Sequence, residues 1–576
     1  MKKLLVILAA AVCISCQPSA DKATAQQPQI ESMFDDGNYA MFIHFGLYSK
    51  LEGIWKGKTY YGAAEWIMNH NQAGIPYDEY MAEASTFNPS EFDAEAVAQL
   101  AEDAGMKYIV ITSKHHEGFA MFDTAVSDFD IVDATPLKRD IMGELAEACH
   151  RHGLGIGFYY SQFQDWTAPG GGNGPKTDKD GREVSFDEYF YSKCVPQVNE
   201  ITTKYGDIAI IWFDTPGNMD ISYSKYLVDL VHKNQPGALV SSRVGNGMGD
   251  YETLGDMEVP LTNHPGRWEG IDVTQVGWGY SKLDNQWKTP EYIVRNLVST
   301  VARGGTFMLN VGPEANGQIH EMAASSLRKS GEWVKKYPQA VYCAGPSPWG
   351  HAFPWGDAVT QGTDRIELVV YDWPSDGRLW VPGLKSDIKS AKLAGGKKLK
   401  LSRDGDWVCI NVPFERPDAI ASVIELTLRG EVEADGTLAA VPSMTSTFPT
   451  ELAELQGCKL NRGAWMENFG EWKFKKHARE LTEDSRVIWT VNIKEPGYYN
   501  VGLEYKGEGR IEWVMELDGG VEEVRMNQGA STAFAWHSLG WIKVSEPGIH
   551  TFSIRANDGD YQNARLSGMS LTQINI

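Results

Sequence analysis

From residue 33 onward two hydrophobic rhythms alternate along the chain. Short runs in which most positions are β-branched or aromatic give way to longer stretches whose apolar residues recur three and four apart. The runs Ala40 to Phe45, Lys107 to Thr112, Gly155 to Tyr160, Ile208 to Phe213, Ala238 to Ser242 and Thr306 to Val311 predict buried strands. The stretches Ala94 to Ala104, Asp140 to His152, Ser222 to Asn234, Pro290 to Ala302 and Glu321 to Lys336 predict helices, and in the first of them Val97, Leu100 and Ala101 share one face. Strands alternating with helices are the signature of parallel βα units. This many repeats predict an α/β fold, a (β/α)8-like barrel over residues 33–345 that is irregular on its later side.

Beyond about residue 345 the helical period disappears and strict alternation replaces it, as in Ile366-Glu-Leu-Val-Val-Tyr371 and Ala421-Ser-Val-Ile-Glu-Leu-Thr-Leu428. A β-sandwich is predicted over 346–440. The Pro, Ser and Thr cluster from Val441 to Thr450 reads as a linker. Further alternation with Gly turns, in Gly497 to Tyr505 and Gly548 to Ile554, predicts a second sandwich within 441–576, similar in pattern to a carbohydrate-binding module. Its Trp536 and Trp541 are expected to pack into the core, with glycan binding as the alternative.

The N-terminus changes the picture of where the protein resides. Met1-Lys2-Lys3 followed by Leu4 to Val12 forms a charged and then an apolar region too short to span a bilayer, which is the pattern of an export signal. The segment runs into Ser15-Cys16, as in bacterial lipoprotein signals, so residues 1–16 are expected to be a signal ending at a lipidated Cys16 and 17–32 a polar tether. Cleavage between Ala20 and Ala25 is the alternative. The expected location is the periplasm or cell envelope of a Gram-negative-type bacterium, with membrane attachment only through the lipid. Cys149, Cys194, Cys343, Cys409 and Cys458 show no metal-ligand spacing and read as buried thiols, with one or two disulfides at most.

Across 576 residues, 42% hydrophobic and 22% charged, the composition is that of a globular protein. A net charge of −23 argues against nucleic acid, whose binding draws on clustered Lys and Arg. Nineteen Trp and 24 Tyr are a surplus; most fill cores, but flat rings also suit the apolar faces of sugars.

Candidate chemistry collects where the strands should end. His44, Glu65, His115, His116, Tyr159, Trp212, Asp214 and Arg243 fall on one rim of the predicted barrel, the end at which barrel active sites are built. Asp214 closes the apolar run Ile208-Ala-Ile-Ile-Trp-Phe-Asp214, where an acid is expensive to hide from water unless it is paired or functional. Metal binding by His115 and His116 is disfavoured. Neighbours on a strand point to opposite faces, and no third ligand stands at a matching spacing. Hydrogen bonding to a polyhydroxylated ligand fits better.

In order along the chain stand Met41-Phe-Ile-His-Phe-Gly-Leu-Tyr-Ser49, Glu65-Trp66, Lys114-His-His-Glu-Gly-Phe119, Gly157-Phe-Tyr-Tyr-Ser161, Trp212-Phe-Asp214, Arg243-Val-Gly, Trp268-Glu269, Trp278-Gly-Tyr280 and Asn310-Val-Gly-Pro313. Together they resemble α-L-fucosidases of glycoside hydrolase family 29. The resemblance implies an exo-acting, retaining enzyme that releases terminal α-L-fucose from a fucosylated oligosaccharide or glycoconjugate, with Asp214 as nucleophile and no metal or organic cofactor. It also implies that His44, Glu65, His115, His116, Tyr159, Trp212 and Arg243 line the fucose pocket and that Trp278 packs near the sugar.

The second carboxyl group is left open. Alignment on Gly249-Asp-Tyr251 puts Gly255 where some family members have Glu and Asp256 where others have Asp; Glu258 lies two residues on, and Glu269 matches a Trp-Glu pair given the same role. Asp256, Glu258 and Glu269 are therefore all acid/base candidates. The alternatives to an α-L-fucosidase are a retaining exo-glycosidase for an α-L-galactoside or β-D-fucoside, and a non-catalytic lipoprotein that binds fucosylated glycans.

Overall fold

The computed structural model describes residues 30–466 and 472–574. The export segment, Cys16 and nearly all of the tether lie outside the described residues. Eight parallel strands form the first sheet: β1 (Tyr39–Ile43), β2 (Tyr108–Lys114), β3 (Gly155–Tyr160), β4 (Ile210–Phe213), β5 (Leu239–Val240), β6 (Glu252–Thr253), β7 (Trp268–Val273) and β8 (Thr306–Val311). Their order across the sheet is β5-β4-β3-β2-β1-β8-β7-β6, and its two edges meet at a parallel bridge between Ser241 and Tyr251. The sheet thus curls into the expected barrel. Five of the predicted helices form: α1 (Ala94–Ala104), α2 (Ile141–His152), α4 (Ile221–Asn234), α5 (Pro290–Val301) and α6 (Glu321–Lys336), with an additional short α3 at Val195–Ile201. Asp93 and Asp140 cap α1 and α2, and left-handed Gly105 and Gly153 end them, because only glycine adopts those backbone angles without strain.

Alternation along the strands sorts two cores. Phe42, Val110, Tyr159, Trp212, Ile271 and Met308 form one apolar cluster, whereas Met41, Ile109, Phe158, Ile211 and Leu309 belong to another that takes in the helices. The first set fills the barrel interior. Stepping two residues on from Phe42, Tyr159 and Trp212 reaches His44, Ser161 and Asp214 on the same face, at the C-terminal end of the barrel.

Two barrel strands escape the hydrophobic pattern. β6 is two residues long, and β7, Trp-Glu-Gly-Ile-Asp-Val, carries two acids and a glycine although all six of its residues are buried. Asp272 is accommodated there by hydrogen bonds from Tyr292 and Asn296 at 3.0 and 2.6 Å. No α-helix intervenes between β5, β6 and β7, only a 3-10 turn at Ser242–Val244, which is the irregularity expected on this side.

After the barrel an eight-stranded antiparallel sheet runs from Ala344–Gly345 to Arg378–Val381 around Trp355, Leu368 and Val408. Two six-stranded sheets follow, and one apolar cluster draws on both, including Trp489, Trp513 and Phe552 from one and Tyr505 and Met569 from the other. The segment read as a linker is not one. Thr445–Pro449 is a strand paired with Arg565–Ile574, and Leu438–Ala440 pairs with Arg486–Ile493. Ser446 and Phe448 are buried between exposed Thr445 and Thr447, a period of two that turn-forming residue types disguise.

Trp536 and Trp541 are not core residues either. They are 46% and 57% exposed. Of the five described cysteines, Cys149, Cys194 and Cys409 are buried as expected, but Cys343 is exposed.

Candidate active site

Every residue that the sequence places on the rim lines one cavity at the C-terminal end of the barrel. His44, Glu65, His115, His116, Tyr159, Trp212, Asp214, Arg243 and Trp278 surround a cavity of about 100 Å³, joined by Phe42, Trp66, Thr215, Asp256 and Ile271. Both histidines of the pair reach it because β2 ends at Lys114. His115 and His116 stand in the following turn, their rings 4.2 Å apart, so the strand rule that would send them to opposite faces does not govern them.

Asp214 is the centre of a dense hydrogen-bond array. Its Oδ2 accepts from the Tyr159 hydroxyl at 2.9 Å and lies 3.5 Å from His116 Nε2; its Oδ1 accepts from Arg243 Nη1 at 3.1 Å. Burial pushes the carboxyl up, but Arg243, His116 and Tyr159 together outweigh it and hold the group below the ordinary Asp value. Asp214 is therefore an anion in the ligand-free cavity. Thr215 directly after it has φ 46, a left-handed conformation that is rare and strained for a β-branched residue.

Supporting residues outside the sequence-derived set fix this geometry. Gln162, fully buried, accepts from the Asp214 backbone N–H at 3.0 Å and donates to the Arg243 carbonyl at 2.9 Å, tying the two residues to the end of β3. Ser161 Oγ lies 2.6 Å from His116 Nδ1 and 2.9 Å from the Tyr159 hydroxyl. Asn310 Oδ1 meets His44 Nδ1 at 2.7 Å and its amide donates to the Trp278 carbonyl at 2.7 Å. The signal for these three was their place just past, or at the end of, a predicted strand.

Burial lowers the pKa of His44 to about 3 and that of His116 to about 4, and it drives His115 down as well, so all three rings are neutral near pH 7. A neutral imidazole offers one donor and one acceptor, which suits sugar hydroxyls. Burial raises Glu65 to about 7; one of its oxygens accepts from the Gly279 N–H at 2.8 Å and the other has no partner within the protein. Phe42, Trp66, Trp212 and Trp278 supply apolar wall, and the Arg243 guanidinium sits 5.0 Å over the Trp212 ring.

The three carboxyls left open by the sequence occupy different places. Asp256 lines the cavity and accepts from Arg243 Nη2 at 2.5 Å. Glu258 points the other way, accepting from the Gly255 N–H at 3.0 Å and from Arg462 of the C-terminal sheets at 2.6 Å. Glu269 is fully buried on β7, where it accepts from Trp212 Nε1 at 2.8 Å, and burial raises it to about 7. It lies behind the Trp212 wall, off the cavity.

A family model for alpha-L-fucosidase matches residues 8–339. The chain belongs to the α-L-fucosidase family. It is similar to the plasma alpha-L-fucosidase of Rattus norvegicus, 29% identical over 336 residues that cover 54% of this chain and 70% of that protein. The human plasma alpha-L-fucosidase is 27% identical over 417 residues, 66% of this chain and 84% of the relative.

Among solved structures, the alpha-L-fucosidase from Vibrio sp. strain EJY3 superposes with a TM-score of 0.77 at 28% identity, covering 94% of this chain and 97% of that one. Isoenzyme 1 from Paenibacillus thiaminolyticus gives 0.62 at 30% identity over 70% of this chain and 99% of that one. A mutant of the Lactobacillus casei alpha-L-fucosidase, solved with 4-nitrophenyl-α-L-fucopyranoside substrate, gives 0.50 at 37% identity over 54% of this chain and 99% of that one. Family membership makes the protein a glycoside hydrolase.

Proposed function

We propose that the protein is an exo-acting, retaining α-L-fucosidase that removes terminal α-L-fucose from neutral glycans through a fucosyl-enzyme ester on Asp214. The observation that carries this reading is the single guanidinium shared by Asp214 and Asp256. Both carboxyls accept from its terminal nitrogens, at 3.1 and 2.5 Å, and both line the same cavity, which supplies the two carboxyl groups that a retaining mechanism uses, one to attack and one to donate a proton.

Asp214 attacks the anomeric carbon, the glycosidic bond breaks, and Asp256 gives its proton to the departing oxygen. Esterification removes the charge of Asp214. Asp256, having given up its proton to the leaving group, is then the base that takes one from the water attacking the ester. Attack by water from the opposite side of the ester restores α-L-fucose. Neutral His44, His115 and His116 hold ring hydroxyls, and the aromatic walls receive the C5 methyl.

Replacing Asp214 by Ala should lower turnover of an aryl α-L-fucoside by several orders of magnitude, and added azide should then yield the β-fucosyl azide. Azide with Asp256→Gly should yield the α anomer instead, because it attacks the ester. NMR of the products separates the two; near-normal turnover by Asp214→Ala sinks the assignment. Attachment to the cell envelope through a lipid on Cys16 is part of the same reading, supported by the Ser15-Cys16 pattern. Palmitate labelling that persists in Cys16→Ser would rule it out.

A further inference from the structure

Beside the catalytic cavity runs a larger cleft of about 590 Å³, between the loop that follows β6 and the six-stranded sheet that contains Thr445–Pro449 and Arg565–Ile574. The two spaces share a wall. Asp256 faces the cavity, while its neighbours Leu254, Met257 and Glu258 line the cleft. Met257 makes that division possible, since its left-handed backbone (φ 57) reverses the chain and its N–H is pinned to the Ile271 carbonyl on β7 at 2.9 Å.

The opposite wall belongs to the C-terminal sheets. There Trp536, 46% exposed, rests over Gly502 and Gly568, where a Cβ would come within 3.5 Å of its ring. The charges in the cleft are matched: Glu258 with Arg462 at 2.6 Å, Lys475 with Glu504, and Lys476 with Glu451. Walls whose cations and anions cancel attract no net charge, yet they present donors and acceptors on all sides. With an aromatic face among them, they suit a neutral polyhydroxylated chain.

We propose that this cleft binds the leaving-group glycan, the neutral oligosaccharide from which fucose is cut, so that the C-terminal sheets form half of a composite substrate site. The inference rests on Asp256 as the acid. The oxygen it protonates stays with the leaving sugar, so the rest of the glycan extends past Asp256, and the cleft lies directly across the loop that carries it. Its volume falls within the range of small-molecule sites and exceeds that of the catalytic cavity.

The test compares full-length wild type with Trp536→Ala on two substrates, 4-nitrophenyl α-L-fucopyranoside and a neutral fucosylated pentasaccharide. The ratio of kcat/KM for the pentasaccharide to that for the aryl fucoside should drop about tenfold, through KM, and Trp536→Phe should restore most of it. An unchanged ratio overturns the proposal. The same pentasaccharide stripped of its fucose, titrated calorimetrically, should bind wild type and bind Trp536→Ala about tenfold more weakly. Equal affinities, or no binding to wild type, also overturn it. Wild type that binds the stripped glycan but leaves the aryl fucoside intact would instead refute the catalytic reading and leave the cleft standing.

Discussion

Asp214 and Asp256 answer to one side chain, Arg243, and the proposed function uses that arrangement to give three acids that look alike in sequence different roles. On the proposed reading Asp256→Asn removes the proton donor and should lower pentasaccharide kcat/KM by about 10²–10⁴, the range of general acid catalysis, while sparing kcat/KM on aryl fucosides, whose phenolate leaves unaided; their kcat should fall, because water then attacks the ester without a base. Glu258→Gln removes the charge that pairs with Arg462 and should stay within several-fold of wild type on the aryl substrate. Steady-state kinetics on both substrates checks the pair; a Glu258 variant as impaired as the Asp256 one would reverse the assignment. Asp214 was legible as an acid placed after six mostly apolar residues. Its partner was not, because Asp256 and Glu258 lie two residues apart in a loop, and which one turns inward depends on the left-handed Met257 and the pull of Arg462. Gln162 was missed for a related reason: a buried amide announces itself only through its partners.

At the level of elements, the strands aim the site. β3 and β4 carry Tyr159, Trp212 and Asp214, and they approach closely at Gly157, where a Cβ would stand 2.7 Å from the Ile210 carbonyl oxygen. Gly157→Val should force the strands apart, destabilise the fold by about 1–3 kcal/mol and reduce kcat/KM together with the melting temperature. Calorimetry and kinetics on the soluble variant test this, and an unchanged Tm would show that the strands absorb the methyl groups. Strands that are apolar at nearly every position were readable, since burial on both faces leaves a continuous hydrophobic run. β6, β7 and Thr445–Pro449 were not. The first is too short for a period, the second hides two paired acids, and the third is written in residues that usually make turns.

For the molecule as a whole, the buried carboxyls and imidazoles set opposite pH limits. Burial raises Glu65 and Glu269 to about 7 and Glu117 to about 8, so the stability they contribute is complete below the unfolded value near 4.5 and is lost as pH rises through 7 to 8. Burial lowers His44 to about 3 and His116 to about 4, so their contribution is present above the unfolded value of 6.5 and is lost as pH falls through 4 to 3. The melting temperature should therefore peak in mildly acidic solution and decline toward pH 8. Glu269→Gln removes one titrating group while keeping an acceptor for Trp212, and should flatten the alkaline decline by an amount on the order of 2 kcal/mol. Parallel slopes for variant and wild type between pH 5.5 and 8 would contradict this. By itself the sequence determined the parallel βα repeat, the all-β region after it and the set of polar side chains gathered on one rim, because hydrophobic period and position relative to a strand end are local properties. The tertiary structure alone decided which carboxyl faces Asp214, which tryptophans remain exposed and that the C-terminal sheets close a cleft against the barrel. Those depend on contacts between residues far apart in the chain, such as Glu258 with Arg462, which no local pattern encodes.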